Sequence, residues 1–368
     1  MRAAILYGQE DVRVEQVLPR ALAPGEVRIQ IEAALTCGTD LKVFKRGYHA
    51  RMIVPPAVFG HELAGVISET QAPEETAQTP GPGAGSAEHE FVARAVGASL
   101  RPAPKIGDRV VVANSAPCGN CFYCRANQEN LCDDLLFLNG AYAESIVVPA
   151  RIVQKNLWPL KPGTAFRDAA LVEPLACVVQ GIEDAKLRAG QRVLVLGAGP
   201  IGLMFVVLAR QLGCTVTVAG RGEGRLQTAR RLGAETAIPV VTGDELEPGS
   251  LPGSPFDVVI EAVGKPETWE AAVPLTRKGG LVNFFGGCPA GTKVALDTGL
   301  IHYSNLTLVA SFHHTPRAVG RALELIESGI INAADFVDGQ WPLSRLPELF
   351  QSMAAGNRAV KTFINVKA

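Results

Sequence analysis

Four cysteines lie close together in the chain with the spacing of a metal site. They follow the pattern C-x2-C-x2-C-x7-C and are Cys118, Cys121, Cys124 and Cys132. Four thiolates in one short loop can surround a zinc ion tetrahedrally and leave no position open for a substrate. The pattern therefore predicts a structural zinc. Four unrelated thiols and an iron–sulfur cluster, which also takes four thiolates, are the alternatives.

A second group of possible zinc ligands is dispersed along the chain. Cys37 lies in Thr-Cys-Gly-Thr-Asp, His61 and Glu62 lie in Phe-Gly-His-Glu, and Glu173 lies in Leu-Val-Glu-Pro. Thiolate, imidazole and carboxylate groups bind zinc, and a catalytic zinc keeps one position open. Each residue also has an ordinary structural explanation: a small core thiol, a satisfied buried histidine, or a carboxylate at a helix N-terminus. Distance along the chain does not decide between these interpretations.

A glycine-rich turn predicts a dinucleotide site. Gly197, Gly199, Pro200, Ile201 and Gly202 belong to GAGPIG, which fits G-x-G-x-x-G and lies between an apolar strand pattern and an apolar helix pattern. The first glycine permits the tight turn, the second lets the backbone approach a pyrophosphate, and the third lets helix and strand pack closely. The helix N-terminus then offers free N–H groups to the anion. A tight turn without a ligand is the alternative.

The end of the next strand favours NADP over NAD. The strand CTVTVAG ends at Gly220, near the place where an acidic residue would bind the ribose 2′-hydroxyl of NAD. Arg221 follows instead, with Arg225 four residues further on, and a guanidinium suits a 2′-phosphate. In the alternative interpretation, Arg221 is a solvated loop residue and Glu223 substitutes for the missing acid.

The elements that must position these residues fall into two groups. EVRIQIEAAL, AGVISE, IGDRVVVA and AYAESIVVP are strand patterns in the N-terminal region. After about residue 165, strands and helices alternate in the order QRVLVLGA, IGLMFVVLARQLG, CTVTVAG, GRLQTARRLGA, FDVVIEAVG, ETWEAAVPLTR and GLVNFFGG. This alternation predicts an α/β fold with a doubly wound parallel sheet. TPRAVGRALELIESGI predicts an amphipathic helix, and the polar stretch at 70–95, with His89, predicts a surface loop.

Composition excludes several classes of protein. A chain of 368 residues with 47% hydrophobic and 19% charged residues can bury a large core, and two domains are the natural expectation. The formal net charge of −1 provides no basic field for nucleic acid. The apolar run 193–209 is broken by three glycines and a proline and is too short for a membrane span. The N-terminus lacks a signal-peptide pattern, so we expect a cytoplasmic protein.

Taken together, these motifs resemble the zinc-containing medium-chain dehydrogenases, the family of alcohol, sorbitol and threonine dehydrogenases. The resemblance extends nearly end to end, apart from residues 70–95. It rests on CGTD at 37–40, GHE at 60–62, GDRV at 107–110, the cysteine quartet, EP at 173–174 and GAGPIG at 197–202. It implies a β-rich, GroES-like catalytic domain of residues 1–160 and 311–368 and a Rossmann cofactor domain of residues 161–310. It also implies a homo-oligomer, a tetramer or dimer, often with the cofactor-domain sheet at the interface.

The resemblance also implies roles for the dispersed ligands. Residues that match Cys37 and His61 bind the catalytic zinc in that family, and a carboxylate at Glu62 or Glu173 completes the shell, one directly and one sometimes through water. Asp40 would orient His61. The position of Glu173 is a cysteine in many simple alcohol dehydrogenases, whereas the Glu-Pro form is similar to the polyol and threonine branch. A polyol or another functionalised secondary alcohol is therefore the expected substrate.

The chain departs from the family pattern at one position. Many members have a proton-relay histidine two residues after the aspartate of CGTD, and here that residue is Lys42. We therefore expect Thr39 to accept the hydroxyl proton and pass it to the cofactor ribose and solvent. The segment SFHHT carries His313 and His314, for which core packing and lining of a substrate pocket are equally good interpretations.

The sequence thus predicts a cytoplasmic, NAD(P)-dependent oxidoreductase with two zinc ions per chain, which interconverts a secondary alcohol and a ketone. A zinc-free quinone or enone reductase on the same fold is one alternative. A dinucleotide-binding sensor or scaffold that uses only the structural zinc is another. The second set of metal ligands argues against both.

Overall fold

The computed structural model describes residues 1–49, 52–73, 103–240, 246–247, 249, 251–356 and 359–368. Most of the predicted surface loop at 70–95, including His89, lies outside the described residues. In the part of the chain that is described, no helix is long and apolar enough to cross a membrane.

Strands from both ends of the chain build a mixed sheet. Its strand order is β10-β6-β5-β3-β18-β17, with β9 also paired to β3. The bounds are β3 Val27–Leu35, β5 Glu62–Thr70, β6 Arg109–Val112, β9 Ser145–Val148, β10 Leu157–Pro159, β17 Val337–Pro342 and β18 Lys361–Asn365. The C-terminal strand β18 lies antiparallel beside β3, so residues far apart in the sequence share one core.

Smaller elements complete this part of the molecule. A three-stranded sheet has the order β2-β1-β4, and β7 pairs with β8. The bounds are β1 Arg2–Gly8, β2 Asp11–Gln16, β4 Ala57–Val58, β7 Ser115–Ala116 and β8 Leu136–Phe137. The helices are α1 Gly38–Arg46, α2 Phe122–Arg125, α3 Ala150–Asn156, α4 Phe166–Ala169 and α5 Val172–Asp184.

The middle of the chain forms a six-stranded sheet with the order β13-β12-β11-β14-β15-β16, all parallel. The bounds are β11 Arg192–Leu196, β12 Thr215–Gly220, β13 Thr236–Pro239, β14 Phe256–Glu261, β15 Thr276–Phe284 and β16 Thr307–Ala310. Numbered within the sheet, this is the order 3-2-1-4-5-6, which reverses between β11 and β14. The predicted doubly wound parallel sheet is therefore confirmed.

Helices cover both faces of the parallel sheet and explain its apolar strands. The bounds are α6 Pro200–Gln211, α7 Glu223–Arg231, α8 Pro266–Ala272, α9 Thr298–Tyr303 and α10 Pro316–Glu327. Helix α11, Leu346–Ala354, instead packs in the core of the mixed sheet. Successive side chains of a strand point to opposite faces. Val193 and Val195 thus enter one core, and Leu194 and Leu196 enter the other. Burial on both faces requires the continuous apolar run that the sequence shows.

One predicted helix is too long. The segment ETWEAAVPLTR was expected to be helical throughout, but the helix ends at Ala272 and strand β15 begins at Thr276. Pro274 lies between them, and proline cannot donate the backbone hydrogen bond that would continue a helix. The expected helix near the C-terminus is present as α10, Pro316–Glu327.

A buried ion pair ties β18 to β5. The ammonium group of Lys361 donates to both carboxylate oxygens of Glu62, at 2.6 and 2.5 Å, and to the carbonyl oxygen of Thr36 at 2.9 Å. Glu62 is fully buried and Lys361 is 1% exposed. Because charges this deep are stable only when paired, each side chain requires the other.

We predict that Lys361→Met lowers the free energy of unfolding by about 3–5 kcal/mol, because it leaves the Glu62 carboxylate buried without a counter-ion. The matched control is Lys367→Met, which removes an exposed pair with Glu32 and should cost under about 1 kcal/mol. Urea unfolding of both variants measures the difference. Equal losses would contradict the assignment of a buried, mutually dependent pair.

Candidate functional site

A pocket lies at the carboxyl ends of the central parallel strands, where the strand order reverses. Its lining residues are Leu196, Gly197, Ala198, Gly199, Ala219, Gly220, Arg221, Arg225, Val240, Leu246, Ala262, Val263, Lys265, Glu267 and Thr268. In open α/β sheets, this crevice is where a dinucleotide binds. The GAGPIG turn and the end of β12 thus meet at one site.

The glycines in and beside the turn differ in the space around them. A Cβ atom on Gly202 would lie 1.8 Å from the carbonyl oxygen of Gly197, and one on Gly220 would lie 2.7 Å from Ala198. A Cβ on Gly199 would meet nothing within 4 Å. Gly202 and Gly220 therefore permit close packing of the chain, while Gly199 leaves open space where a pyrophosphate would approach. The turn fits a dinucleotide.

The structure separates the predicted cofactor residues into two groups. Gly197, Gly199, Gly220, Arg221 and Arg225 line the pocket. Pro200, Ile201 and Gly202 begin helix α6 behind it and are not among its lining residues. Proline has no N–H group to offer an anion, and Gly202 is buried against the turn.

The charged groups of this pocket are mostly basic. Arg221, Arg225 and Lys265 are among its lining residues, and Glu267 is the acidic one. Lys265 Nζ lies 3.4 Å from Glu267 Oε1. Glu223 is not among the lining residues, and its carboxylate accepts a hydrogen bond from Arg230 at 3.1 Å. Sequence reasoning did not identify Lys265, Glu267 or Thr268.

The dispersed ligand candidates come together in the other part of the molecule. Ligand atoms of Cys37, His61 and Glu62 lie within 4.8 Å of one another. Cys37 is the N-cap of α1, and its sulfur accepts the N–H of Thr39 at 3.4 Å. A helix N-terminus favours negative charge, which suits a thiolate ligand.

Asp40 fixes the orientation of the His61 ring. Asp40 Oδ1 lies 2.9 Å from His61 Nδ1, while Asp40 Oδ2 accepts the Tyr142 hydroxyl at 2.5 Å and the Cys37 N–H at 3.1 Å. The Nδ1–H is then directed at the carboxylate, and Nε2 remains available to a metal. Burial disfavours a charged ring, but Asp40 and Cys37 outweigh it and raise the pKa of His61 well above its usual value.

Glu173 lies between His61 and a pair of histidines. Its Oε2 atom is 4.0 Å from His61 Nε2, and its Oε1 atom is 3.9 Å from His314 Nε2. Ligand atoms of Glu173, His313 and His314 also lie within 4.8 Å of one another. Burial raises the pKa of Glu173, and burial raises the pKa of Glu62 to about 7 even though Lys361 opposes it. The donor set and spacing fit a zinc ion at this place.

The two histidines have polar partners that the sequence did not reveal. His313 Nε2 lies 2.6 Å from Ser115 Oγ, and His314 Nε2 lies 3.1 Å from Asn114 Oδ1. Burial lowers the pKa of His313 to about 3, so its ring is neutral at pH 7. Asn114 and Ser115 follow β6 after Ala113, and this polar pair behind an apolar strand pattern is the signal in the sequence that could have identified them.

The cysteine quartet forms a compact cage away from this centre. The Sγ–Sγ distances are 3.9 Å for Cys118–Cys124 and for Cys121–Cys132. A tetrahedral zinc with Zn–S bonds of about 2.3 Å requires edges of about 3.8 Å, so the cage fits zinc closely. The N–H of Cys118 donates to Cys132 Sγ at 3.2 Å, and backbone N–H groups, first that of Cys124, lower the pKa of Cys121 to about 6.

Comparisons with known proteins agree with this arrangement. The model for the alcohol dehydrogenase GroES-like domain matches residues 23–159, and the model for zinc-binding dehydrogenases matches residues 200–328. D-altritol 5-dehydrogenase of Agrobacterium fabrum is 33% identical over 94% of each chain. L-threonine 3-dehydrogenase of Pyrococcus furiosus is 30% identical over 97% of this chain and 95% of its own.

A solved structure of a candidate zinc-binding dehydrogenase from Sinorhizobium meliloti, bound to NADP, is also similar. It has a TM-score of 0.83 at 28% identity, and the match covers 99% of this chain and 98% of that one. The chain therefore belongs to the zinc-dependent medium-chain dehydrogenase family. Its reaction is NAD(P)-dependent oxidoreduction of an alcohol. The predicted family and the predicted GroES-like and Rossmann fold are confirmed.

The contrasting surroundings of Gly202 and Gly199 generate a prediction. Gly202→Ala should lower the free energy of unfolding by about 1–3 kcal/mol or more, because its Cβ would overlap the Gly197 carbonyl. The thermal unfolding midpoint should fall with it. Gly199→Ala should leave the midpoint nearly unchanged but weaken NADP binding about tenfold or more, because its Cβ enters the space for the pyrophosphate. Thermal unfolding and cofactor titration measure the two effects. If both variants lost stability equally and Gly199→Ala bound NADP as tightly as the wild type, the two glycines would not differ in this way.

Proposed function

We propose that the chain interconverts a secondary alcohol of a polyol or sugar-like compound and the corresponding ketone, with two zinc ions per chain and with NADP preferred over NAD. The observation that carries the substrate class is the polar surrounding of Glu173, where Asn114, Ser115, His313 and His314 lie together. Ser115 and Asn114 each engage one ring nitrogen of these histidines, and His314 Nδ1 has no partner among the described residues. A substrate with several hydroxyl groups can bond to the remaining ring nitrogens, whereas a simple alcohol has no second hydroxyl to offer them.

The ligand sets assign a role to each metal. Cys37 and His61 would hold the catalytic zinc, completed by a carboxylate from Glu173 or Glu62. When bound, this zinc supplies Lewis acidity to the substrate oxygen, and the nicotinamide accepts the carbinol hydrogen with its electron pair. Glu62 lies with Cys37 and His61 but has both oxygens bonded to Lys361, which favours Glu173, whose Oε2 atom is 4.0 Å from His61 Nε2, as the carboxylate ligand. The cysteine quartet would hold the structural zinc.

Thr39 is the proposed acceptor of the substrate proton. It lies in the first turn of α1, next to Cys37. Lys42, at the position of the family's relay histidine, is exposed and reaches the carbonyl oxygen of Gly287 at 3.5 Å. That contact directs Lys42 towards the parallel-sheet part of the chain, so proton exit would use Thr39, the cofactor ribose and solvent.

The charge of the dinucleotide pocket supports NADP. Arg221 and Arg225 line the pocket, although the Arg225 guanidinium also donates to the carbonyl oxygen of Ala359 at 2.6 Å. Glu223, the substitute acid of the alternative interpretation, is paired with Arg230. An arginine fork binds phosphate oxygens in pairs, which a ribose hydroxyl cannot match. NADP is therefore the proposed cofactor.

The proposed domain division is 1–160 with 311–368 as the catalytic domain and 161–310 as the cofactor domain. We further propose a homo-oligomer, a dimer or tetramer, that uses the edge of the parallel sheet. Strand β16 is the last in that sheet, and Tyr303 in the preceding helix α9 is 83% exposed. An uncovered edge strand beside an exposed aromatic ring is suited to pairing with a second copy.

The function is tested by initial rates with NADP and NAD over polyols, inositols, sugars, threonine and simple secondary alcohols, together with zinc analysis. We expect two zinc ions per chain and the highest kcat/KM on a polyol. Cys37→Ala should lower kcat by at least about a thousandfold while cofactor binding remains, because the metal site loses a ligand. One zinc per chain with no turnover would instead support the dinucleotide-binding sensor.

Two further variants control for the metal assignment. Cys121→Ser should lose one zinc and destabilise the fold, because a structural zinc contributes folding free energy directly. Cys214→Ser changes a buried thiol outside both clusters and should retain both zinc ions. Undiminished turnover of zinc-free protein would contradict zinc catalysis.

We predict that Arg221→Ala weakens NADP binding about tenfold to a hundredfold and changes NAD binding little, because a charge-assisted contact to the 2′-phosphate is lost. Arg13→Ala, which removes an exposed arginine paired with Asp11, is the matched control. Titration of each variant with NADPH and NADH measures the change. Parallel weakening of both cofactors, or of neither, would contradict the assignment.

A further inference from the structure

The segment from Ser311 to His314 connects strand β16 to helix α10 and is held firmly. His313 has a φ of +62°, in the left-handed region, which a residue other than glycine adopts only where neighbours enforce it. Ser311 Oγ donates to Asp184 at 2.7 Å, and the carbonyl oxygen of Phe312 accepts from Asn130 at 2.9 Å. Residues with a strained backbone are concentrated at functional sites, and the strained residue here is the one that carries the imidazole ring.

The His313 ring is oriented from several sides. Its Nε2 atom is 2.6 Å from Ser115 Oγ, and its ring centroid lies 5.4 Å from that of Phe137 and 5.6 Å from that of Phe312. A ring nitrogen lies within 4.8 Å of a carboxylate oxygen of Glu173. His313 is partly exposed, whereas His314 is buried. Of the two rings beside Glu173, His313 is the one that a ligand can reach.

The hydrogen bond to Ser115 leaves one nitrogen available. A neutral imidazole has one donor and one acceptor. With Nε2 engaged by Ser115, the Nδ1 atom of His313 has no hydrogen-bond partner among the residues that the structure describes. A hydroxyl group can satisfy this nitrogen whichever tautomer is present, because it both donates and accepts.

We propose that His313 binds the substrate hydroxyl on the carbon next to the reacting carbinol, and so selects diols and polyols over simple secondary alcohols. The proposal rests on the proposed function and assigns its substrate preference to one residue. Glu173 is a proposed zinc ligand, and a ring nitrogen of His313 lies within 4.8 Å of one of its carboxylate oxygens. The ring is therefore near enough to the proposed reacting centre for a hydroxyl on the neighbouring carbon to reach it. Ser115 is then a positioning residue, since it orients the ring without contacting substrate.

The test compares 2,3-butanediol with 2-butanol, which share a carbon chain and a secondary carbinol but differ in the adjacent hydroxyl. His313→Asn is the variant of choice, because asparagine tolerates the left-handed backbone but is too short to replace the ring. We expect its kcat/KM for the diol to fall about tenfold, the value of one hydrogen bond, and that for 2-butanol to change less than about twofold. Ser115→Ala should shift the diol preference in the same direction by a smaller factor.

His302→Asn, an exposed histidine in helix α9, is the matched control and should leave both rates unchanged. Zinc content and thermal unfolding are measured for every variant. An equal loss on both substrates would assign His313 to packing and overturn the proposal. If His313→Asn does not fold, an unchanged diol preference in Ser115→Ala overturns it.

The wild-type protein separates this proposal from the proposed function. If it oxidises no polyol and does not prefer the diol, the proposed function fails and the role of His313 fails with it. If it prefers the diol and His313→Asn retains that preference, only the role of His313 is refuted.

Discussion

The proposed metal centre depends on the hydrogen bonds of the Asp40 carboxylate. One oxygen holds His61 Nδ1, and the other accepts the Tyr142 hydroxyl and the N–H of Cys37. Three distant parts of the chain are thereby held at one buried residue. Because the Nδ1–H is directed at Asp40, the Nε2 atom of His61 faces Glu173, and the cluster has the geometry of a metal site.

The dinucleotide pocket depends on close packing of the backbone, as the ligand cluster depends on Asp40. The turn from β11 into α6 exists only because Gly202 lets the helix approach the carbonyl oxygen of Gly197, and Gly220 lets β12 approach Ala198. Both contacts are steric and do not involve a ligand. They bring Arg221, at the end of one strand, beside the turn at the end of another, and the charge of the pocket follows from that approach.

The two parts of the molecule meet at the segment that carries His313 and His314. It follows the last strand of the parallel sheet, yet its side chains contact Asn114, Ser115 and Glu173 of the metal region. Asn130, in the loop that contains the cysteine quartet, holds the same segment through Phe312. The loop of the cysteine quartet therefore helps to position the segment whose histidines lie beside Glu173.

The sequence by itself determined what local periodicity and spacing encode: the alternating strands and helices, the glycine turn, the cysteine quartet and the separate motifs around Cys37, His61 and Glu173. Short edge strands such as β13 and β16 were missed, because four residues carry too little pattern. The Lys361–Glu62 pair and the His313–Ser115 contact join residues 299 and 198 positions apart. Only the tertiary structure decided these contacts, because a hydrogen bond depends on distance in space and leaves no trace in local spacing.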